Sequence, residues 1–358
     1  MKLSNFTEGR DNNFSLIRIV AALAVLVSHS FALAIGASSA QPFQKILGMT
    51  IGEIAVDVFF ITSGFLVTSS LLTRQSFIEF VWARVLRIFP ALLIMLLLVV
   101  FGLGIFFTTL PVTSYLTNSA IYEYLLKCAT LINGVAFHLP GVFESNPYKK
   151  AVNGSLWTMP YEVRMYAILA VGWVVLGVIK KSRLEIFKAA VVASYAVYTI
   201  LIIACHFYFP TEFSRFFLMF FSGAAFFVLR DYIKLYHSIF WLFVVTLVSA
   251  SLIYIHLFFA VYVMTVSYVL FYLAYIPSGY VRKYNKLGDY SYGVYIYAFP
   301  VQQSVVALIP GVSVWAMIVI SACVTLLLAV LSWHLLERRM LSLKGHYVGH
   351  TYRLFSYR

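Results

Sequence analysis

His29 stands inside an unbroken apolar run from Phe14 to Ile35. An imidazole there can take the proton of an attacking hydroxyl or carry an acyl group itself. Arg18 lies eleven residues earlier in the same run. That spacing is close to three helical turns and about 16 Å of rise, so both side chains project from nearly one face of a helix. Two carboxylates occupy other apolar segments, Asp57 in Asp57-Val-Phe-Phe-Ile-Thr-Ser-Gly-Phe65 and Glu162 in Pro160-Tyr-Glu-Val-Arg164. A carboxylate can hold an imidazole in one tautomer and stabilise its cation. Ionisable groups in hydrocarbon cost a few kcal/mol, so each is a site candidate by default, and His29, Asp57 and Glu162 are the catalytic candidates. Plainer readings stand beside them. Arg18 can snorkel to the headgroups, Asp57 can be a polar helix contact where Ser63 and Gly64 allow close packing, and Arg164 can neutralise Glu162.

Arg84 and Arg87 sit one turn apart before Pro90. Two guanidinium groups at helical spacing suit phosphate oxygens, to which each makes paired bonds, although anchoring at a cytoplasmic surface also places Arg there. Trp157, Tyr292 and Tyr295 are further substrate-binding candidates. In a chain with 25 tyrosines, packing and interfacial roles are the commoner use of such residues. Cys128, Cys205 and Cys323 are widely spaced and lack any C-x-x-C pairing, which indicates neither a disulfide framework nor a metal site.

The elements that must position these residues are membrane helices. The composition is 62% hydrophobic and 11% charged, with a mean hydropathy of +0.90, far from the balance of a soluble domain. Spans of roughly 20 apolar residues recur about ten times, and predict an all-α polytopic bundle. They are Phe14 to Ile35, Ile51 to Thr73, Arg87 to Leu110, Leu156 to Ile179, Phe187 to Phe209, Phe213 to Leu229, Ile239 to Tyr254, Leu257 to Ile276, Tyr290 to Ile309 and Val314 to Leu336.

The formal net charge of +13 reads as topology rather than nucleic-acid binding. Lys2, Arg10, Arg74, Arg84, Arg87, Lys180, Lys181, Arg183, Lys188, Arg230, Lys234, Arg282, Lys283, Lys286, Arg338, Arg339, Lys344, Arg353 and Arg358 fall in alternate loops and ends of one face. The opposite loops hold only Lys45, Lys127, Lys149 and Lys150. The positive-inside rule then puts both termini in the cytoplasm. His29, Asp57 and Glu162 come to comparable depth in the outer half. The stretch from Pro111 to Ser155 carries its own apolar segment, Ile121 to Phe137, and predicts an interfacial helix or a lid. Residues 1–340 form the membrane domain and 341–358 a cytoplasmic tail.

In this order and on these spans, the motifs resemble the acyltransferase family 3 membrane proteins, which O-acylate cell-surface glycans. The resemblance rests on Asn12 to Ser30, on Asp57 to Phe65, on Arg84-x-x-Arg87-x-x-Pro90, on Ser155-Leu-Trp-Thr with Glu162, on Ser291-Tyr-Gly-Val-Tyr295 and on Glu337-Arg338. It implies essential roles for Arg18 and His29 and a contribution from Arg84 and Arg87. Two positions depart from the pattern, Ala298 where many members place His and Arg339 where many place Pro.

The expected reaction moves an acetyl group from cytosolic acetyl-CoA, a co-substrate rather than a bound cofactor, to a hydroxyl of a cell-envelope polysaccharide or its lipid-linked precursor. The expected partners are acetyl-CoA, a saccharide acceptor and membrane lipid, and the expected location is the bacterial inner membrane. Intramembrane charges also suit a second reading, a transporter or flippase of lipid-linked glycans.

Overall fold

The computed structural model describes residues 1–7, 9, 11–149, 151–178, 182–205 and 211–356. Arg10, Lys150, Lys180, Lys181 and Arg358 of the charge argument, and the expected span ends Ile179 and Phe209, lie outside the described residues. The chain is all-α. The main helices are α1 (Phe14–Ile35), α2 (Ile51–Arg74), α3 (Phe77–Leu97), α4 (Ser119–Thr130), α5 (Met159–Val175), α6 (Arg183–Ala204), α7 (Glu212–Val228), α8 (His237–Ile253), α9 (Ile255–Tyr275), α10 (Ser291–Leu308), α11 (Val314–Ser332) and α12 (Lys344–Ser356). Among the described residues β-pairing is limited to isolated bridges.

Among the described residues, each of the apolar segments is largely helical, and six helical runs are long and apolar enough to cross a membrane: α1, α2, Phe77–Phe107, α6, α9 and Val314–Leu354. The protein is a multi-pass membrane protein. α5, α7 and α8 have 17 residues each and α10 has 18. The third span begins ten residues before its expected start at Arg87. The left-handed Gln75 (φ 54°) ends α2, and no helix breaker follows before Pro90, so Arg84 and Arg87 lie within α3.

The chain divides into two compact units. The first comprises Met1–Ala21, Phe43–Phe77 and Arg164–Gly288, the second Ala22–Pro42, Ile78–Val163 and Asp289–Arg358. In the first, α2 packs on α7 through two glycines. A Cβ on Gly64 would lie 1.9 Å from the Phe220 carbonyl oxygen, and one on Gly223 1.9 Å from that of Ile61. Removing Cβ is how membrane helices bring backbones together, where dispersion rather than water expulsion drives association. Phe60 stacks on Phe216 beside the crossing, with centroids 4.3 Å apart. Gly223→Ala is therefore expected to cost about 3 kcal/mol, the upper range for overpacking. The thermal midpoint of the detergent-solubilised protein measures this. Gly172→Ala, whose Cβ would meet only a Phe187 ring carbon at 3.8 Å, should leave the midpoint near that of the native chain.

In the second unit, α3 continues as a π-helical stretch, Leu98–Gly104. The Tyr115 hydroxyl donates to the Val100 carbonyl there (3.0 Å), the kind of side-chain insertion that widens a helical ladder. The long stretch from Pro111 to Ser155 is fastened to α10. The Asn146 amide donates to the Gln303 carbonyl and Oε1, and Gln303 donates to the carbonyls of Tyr148 and Ala151. Within it, α4 buries Ile121, Tyr124 and Cys128 and exposes Tyr122 and Leu126. Burial pushes the Cys128 thiol up to about 11, so it stays a thiol at neutral pH. Within the segment read as a tail, α12 packs against the start of α3. Tyr347 stacks on Trp82, Trp82 Nε1 donates to Thr351 (2.9 Å), and Lys344 bonds Glu79 (3.1 Å).

Candidate active site

His29 belongs to the second unit, in the later half of α1. Its turn is held on both sides. Ser28 donates to Gln41 Oε1 (2.6 Å). The buried Gln302 amide of α10 donates to the Leu26 carbonyl and to Ser30 Oγ, both at 2.7 Å. With its neighbours fixed, the ring has little freedom beyond its own torsions. Its Nδ1 lies 3.5 Å from Ser155 Oγ, and the Phe299 ring meets it edge to face at 5.3 Å. The residue as a whole is only partly buried. Its Nδ1 is thus placed beside a hydroxyl, while the residue is less completely buried than its neighbours Ser28 and Ser30, as a group that exchanges protons with a bound molecule requires.

The turn that carries Ser155 is built for this placement. Asn153 caps the 3-10 turn Gly154–Thr158, its Oδ1 accepting from Ser155 N–H (3.2 Å) while its amide donates to the Ile296 carbonyl of α10 (2.9 Å). Gly154 faces Phe299, where a Cβ would come within 2.5 Å of the ring. Thr158 shares a 2.5 Å hydrogen bond with the Tyr295 hydroxyl, and the Tyr292 hydroxyl donates to the Ile88 carbonyl (2.8 Å). Both tyrosines are buried. Trp157 packs edge to face on Tyr161 and is partly exposed. Glu162 lies in the first turn of α5.

Arg87 is held by two acids of its own unit. Its Nη2 bonds Asp289 Oδ2 at 2.5 Å and its Nη1 bonds Glu337 Oε2 at 3.3 Å. The other Asp289 oxygen accepts from Ser291 Oγ (2.5 Å) and N–H (3.3 Å) at the start of α10. Glu337 lies in the π-turn Trp333–Glu337 that continues α11 and accepts from Ser332 (3.0 Å). The guanidinium also faces the rings of Tyr292 and Trp333 at 5.7 Å. One cation therefore ties α3 to the start of α10 and the end of α11. Arg84, one turn earlier, is partly exposed.

In the first unit, Arg18 is partly exposed and lies over the Phe59 ring at 5.7 Å. Asp57 is fully buried. The sequence reading set it against an imidazole, but the structure gives it a guanidinium and a phenol. Arg215 Nε donates to Oδ1 (3.0 Å) and Nη2 to Oδ2 (2.9 Å), and the Tyr262 hydroxyl donates to Oδ2 (2.9 Å). Glu53 adds a longer contact to Arg215 at 3.5 Å. Three helices, α2, α7 and α9, meet on this carboxylate, and the paired bonds to a desolvated charge are what allow it to be buried.

Sequence reasoning passed over Arg215, Tyr262, Asp289, Asn153 and Gln302. Arg215 met the criterion that singled out Asp57, an ionisable group inside an apolar segment, and weighing it would have supplied the missing partner. The two adjacent amides of α10, Gln302 and Gln303, carried the same kind of signal. Asn153 and Asp289 sit in short connections, where spacing gives no cue to what they reach.

A family model described as an acyltransferase domain matches residues 11–334. The chain is 29% identical to an O-acetyl transferase of Shigella phage Sf6, across 93% of this chain and 97% of that protein. It is 31% identical to Nodulation protein 10 of Rhizobium leguminosarum bv. viciae, across 46% of this chain and 44% of that protein. No solved structure matches it.

Proposed function

This chain belongs to the acyltransferase family 3, and we propose that it moves an acetyl group from cytosolic acetyl-CoA to a hydroxyl of a cell-envelope polysaccharide or its lipid-linked precursor. The family model is described as an acyltransferase domain and the phage relative as an O-acetyl transferase, which supports O-acyl transfer; donor and acceptor are the proposal. The observation that carries it is His29, an imidazole within a membrane helix, steadied at Nδ1 and partly exposed.

In this reading Nε2 of His29 takes the proton of the acceptor hydroxyl as its oxygen attacks the thioester carbonyl carbon. The C–S bond then breaks, and the CoA thiolate leaves with the proton returned by the imidazolium. Glu162 offsets the transient positive charge. Arg84 receives donor phosphates, which enter lipid only with cationic compensation, and Arg87, braced by Asp289 and Glu337, holds α3 in place behind it. Arg18 contributes to donor binding. Asp57 serves by keeping α2, α7 and α9 assembled. The clustering of Lys and Arg on one face supports cytoplasmic termini in a bacterial inner membrane and a donor that enters from that side.

Arg84→Ala is expected to raise KM for acetyl-CoA about tenfold, the loss of one charge-assisted phosphate contact, with kcat little changed; initial rates against acetyl-CoA concentration measure it. The reading itself is tested with purified protein, labelled acetyl-CoA and candidate glycans. Label appearing on a glycan as an alkali-labile ester is the expected result. Movement of glycan across proteoliposomes without acetylation would instead establish a transporter.

A further inference from the structure

We propose that Ser155 is a positioning residue for His29, its hydroxyl oxygen accepting from Nδ1–H while the ring carries its second proton on Nε2. The inference rests on the reading of His29 as the proton acceptor and names the group that reading lacks. An imidazole that gains a proton on Nε2 becomes a cation with a donor on each nitrogen, and its Nδ1–H then needs an acceptor. In catalytic triads a carboxylate fills that place. Here the protein atom at Nδ1 is Ser155 Oγ, at 3.5 Å, a separation from which apo contacts tighten once substrate is bound. A hydroxyl supplies a dipole rather than a charge, so it steadies the ring without trapping it as the permanent cation that a buried carboxylate would favour.

The placement of Ser155 is over-determined. Asn153 receives the Ser155 N–H and reaches the Ile296 carbonyl with its amide, so the serine backbone is registered to α10. The next turn of α10 carries Phe299, whose ring edge contacts His29 and fills the space a Cβ on Gly154 would need. One turn further on, Gln302 clamps the carbonyl and hydroxyl flanking His29 on α1. Serine and imidazole are therefore both referenced to the same stretch of α10, and their separation is set by that helix.

A serine beside a histidine also suggests a covalent nucleophile. Burial decides against it. Ser155 is 1% exposed, whereas His29 is less completely buried. The acyl group accordingly passes to the acceptor without an ester on this serine.

The test compares Ser155→Ala, Ser155→Thr and His29→Ala as purified full chains with labelled acetyl-CoA and a glycan that the native protein acetylates. Ser155→Ala only removes an atom, so the fold survives. The expected result is a fall in kcat of roughly tenfold to a hundredfold, the range for losing an acceptor to a charged donor, with KM for acetyl-CoA within about twofold of native. Ser155→Thr, which keeps the hydroxyl, recovers most of the rate. Native kcat in Ser155→Ala, a loss confined to KM, Ser155→Thr as impaired as Ser155→Ala, or an acetyl ester on Ser155 by mass spectrometry would each overturn the proposal. His29→Ala separates the two levels. If it still transfers acetyl, the reading of His29 fails and this inference with it; if it is inactive while Ser155→Ala is native, only the role of Ser155 falls.

Discussion

Arg215→Ala is expected to destabilise the protein by about 3–5 kcal/mol, the penalty for leaving a buried charge without its partner. Asp57 is fully buried, and in the variant it retains only the Tyr262 hydroxyl among its charge-stabilising bonds. Asp57→Ala strands the opposite charge. Glu53 stands 3.5 Å from Arg215 and is about a third exposed, so it relieves part of that cost. The asymmetry makes Arg215→Ala the more damaging single change. Asp57→Leu combined with Arg215→Met removes both charges while filling the space, and should recover most of the loss, because the pair's own net contribution is small beside the cost of breaking it. Thermal midpoints of the four proteins in detergent form a double-mutant cycle. Additive losses would show that the ion pair does not join α2 to α7.

His29→Ala is expected to lower acetyl transfer by about a thousandfold or more. General-base assistance is commonly worth 10²–10⁴, and Nε2 of His29 has no substitute in this reading. The variant should insert and fold as the native chain does. The residue is only partly buried, and the short polar bonds around it run through Ser28, Ser30 and Gln302, the imidazole's own contact with Ser155 being longer at 3.5 Å. Mass spectrometry of envelope saccharides from cells making either form at equal membrane level measures the consequence as loss of O-acetyl esters.

Much of this architecture was legible because lipid imposes a simple rule. Backbone groups must bond within their own segment, so apolar length translates into helix, and among the described residues the apolar segments are largely helical. The errors lay at the ends. α3 starts at Phe77 because Arg84 and Arg87 are compatible with a helix, and charge alone does not end one. The residues read as catalytic were found by the cost of their charges in hydrocarbon, a criterion that finds ionisable groups without saying what each one meets. Asp57 shows the consequence: the same criterion marks a catalytic carboxylate and one that fastens helices together, and only the bonds to Arg215 and Tyr262 reveal the second use. Arg87 is similar, since its partners Asp289 and Glu337 lie some two hundred residues or more away in sequence. Ser155 and Asn153 left no such trace. Short polar residues in a connection are ordinary, and their part at His29 depends on a register with α10 that no local pattern encodes.

The central claim is that His29 removes the proton from the acceptor hydroxyl during acyl transfer. It is tested most directly by following CoA thiol release and ester formation together, in proteoliposomes carrying native protein or His29→Ala, with acetyl-CoA on the side of the termini and glycan present. Native protein should release one thiol for each ester formed and the variant neither product above background. Ester formation by His29→Ala at a rate near native would contradict the claim.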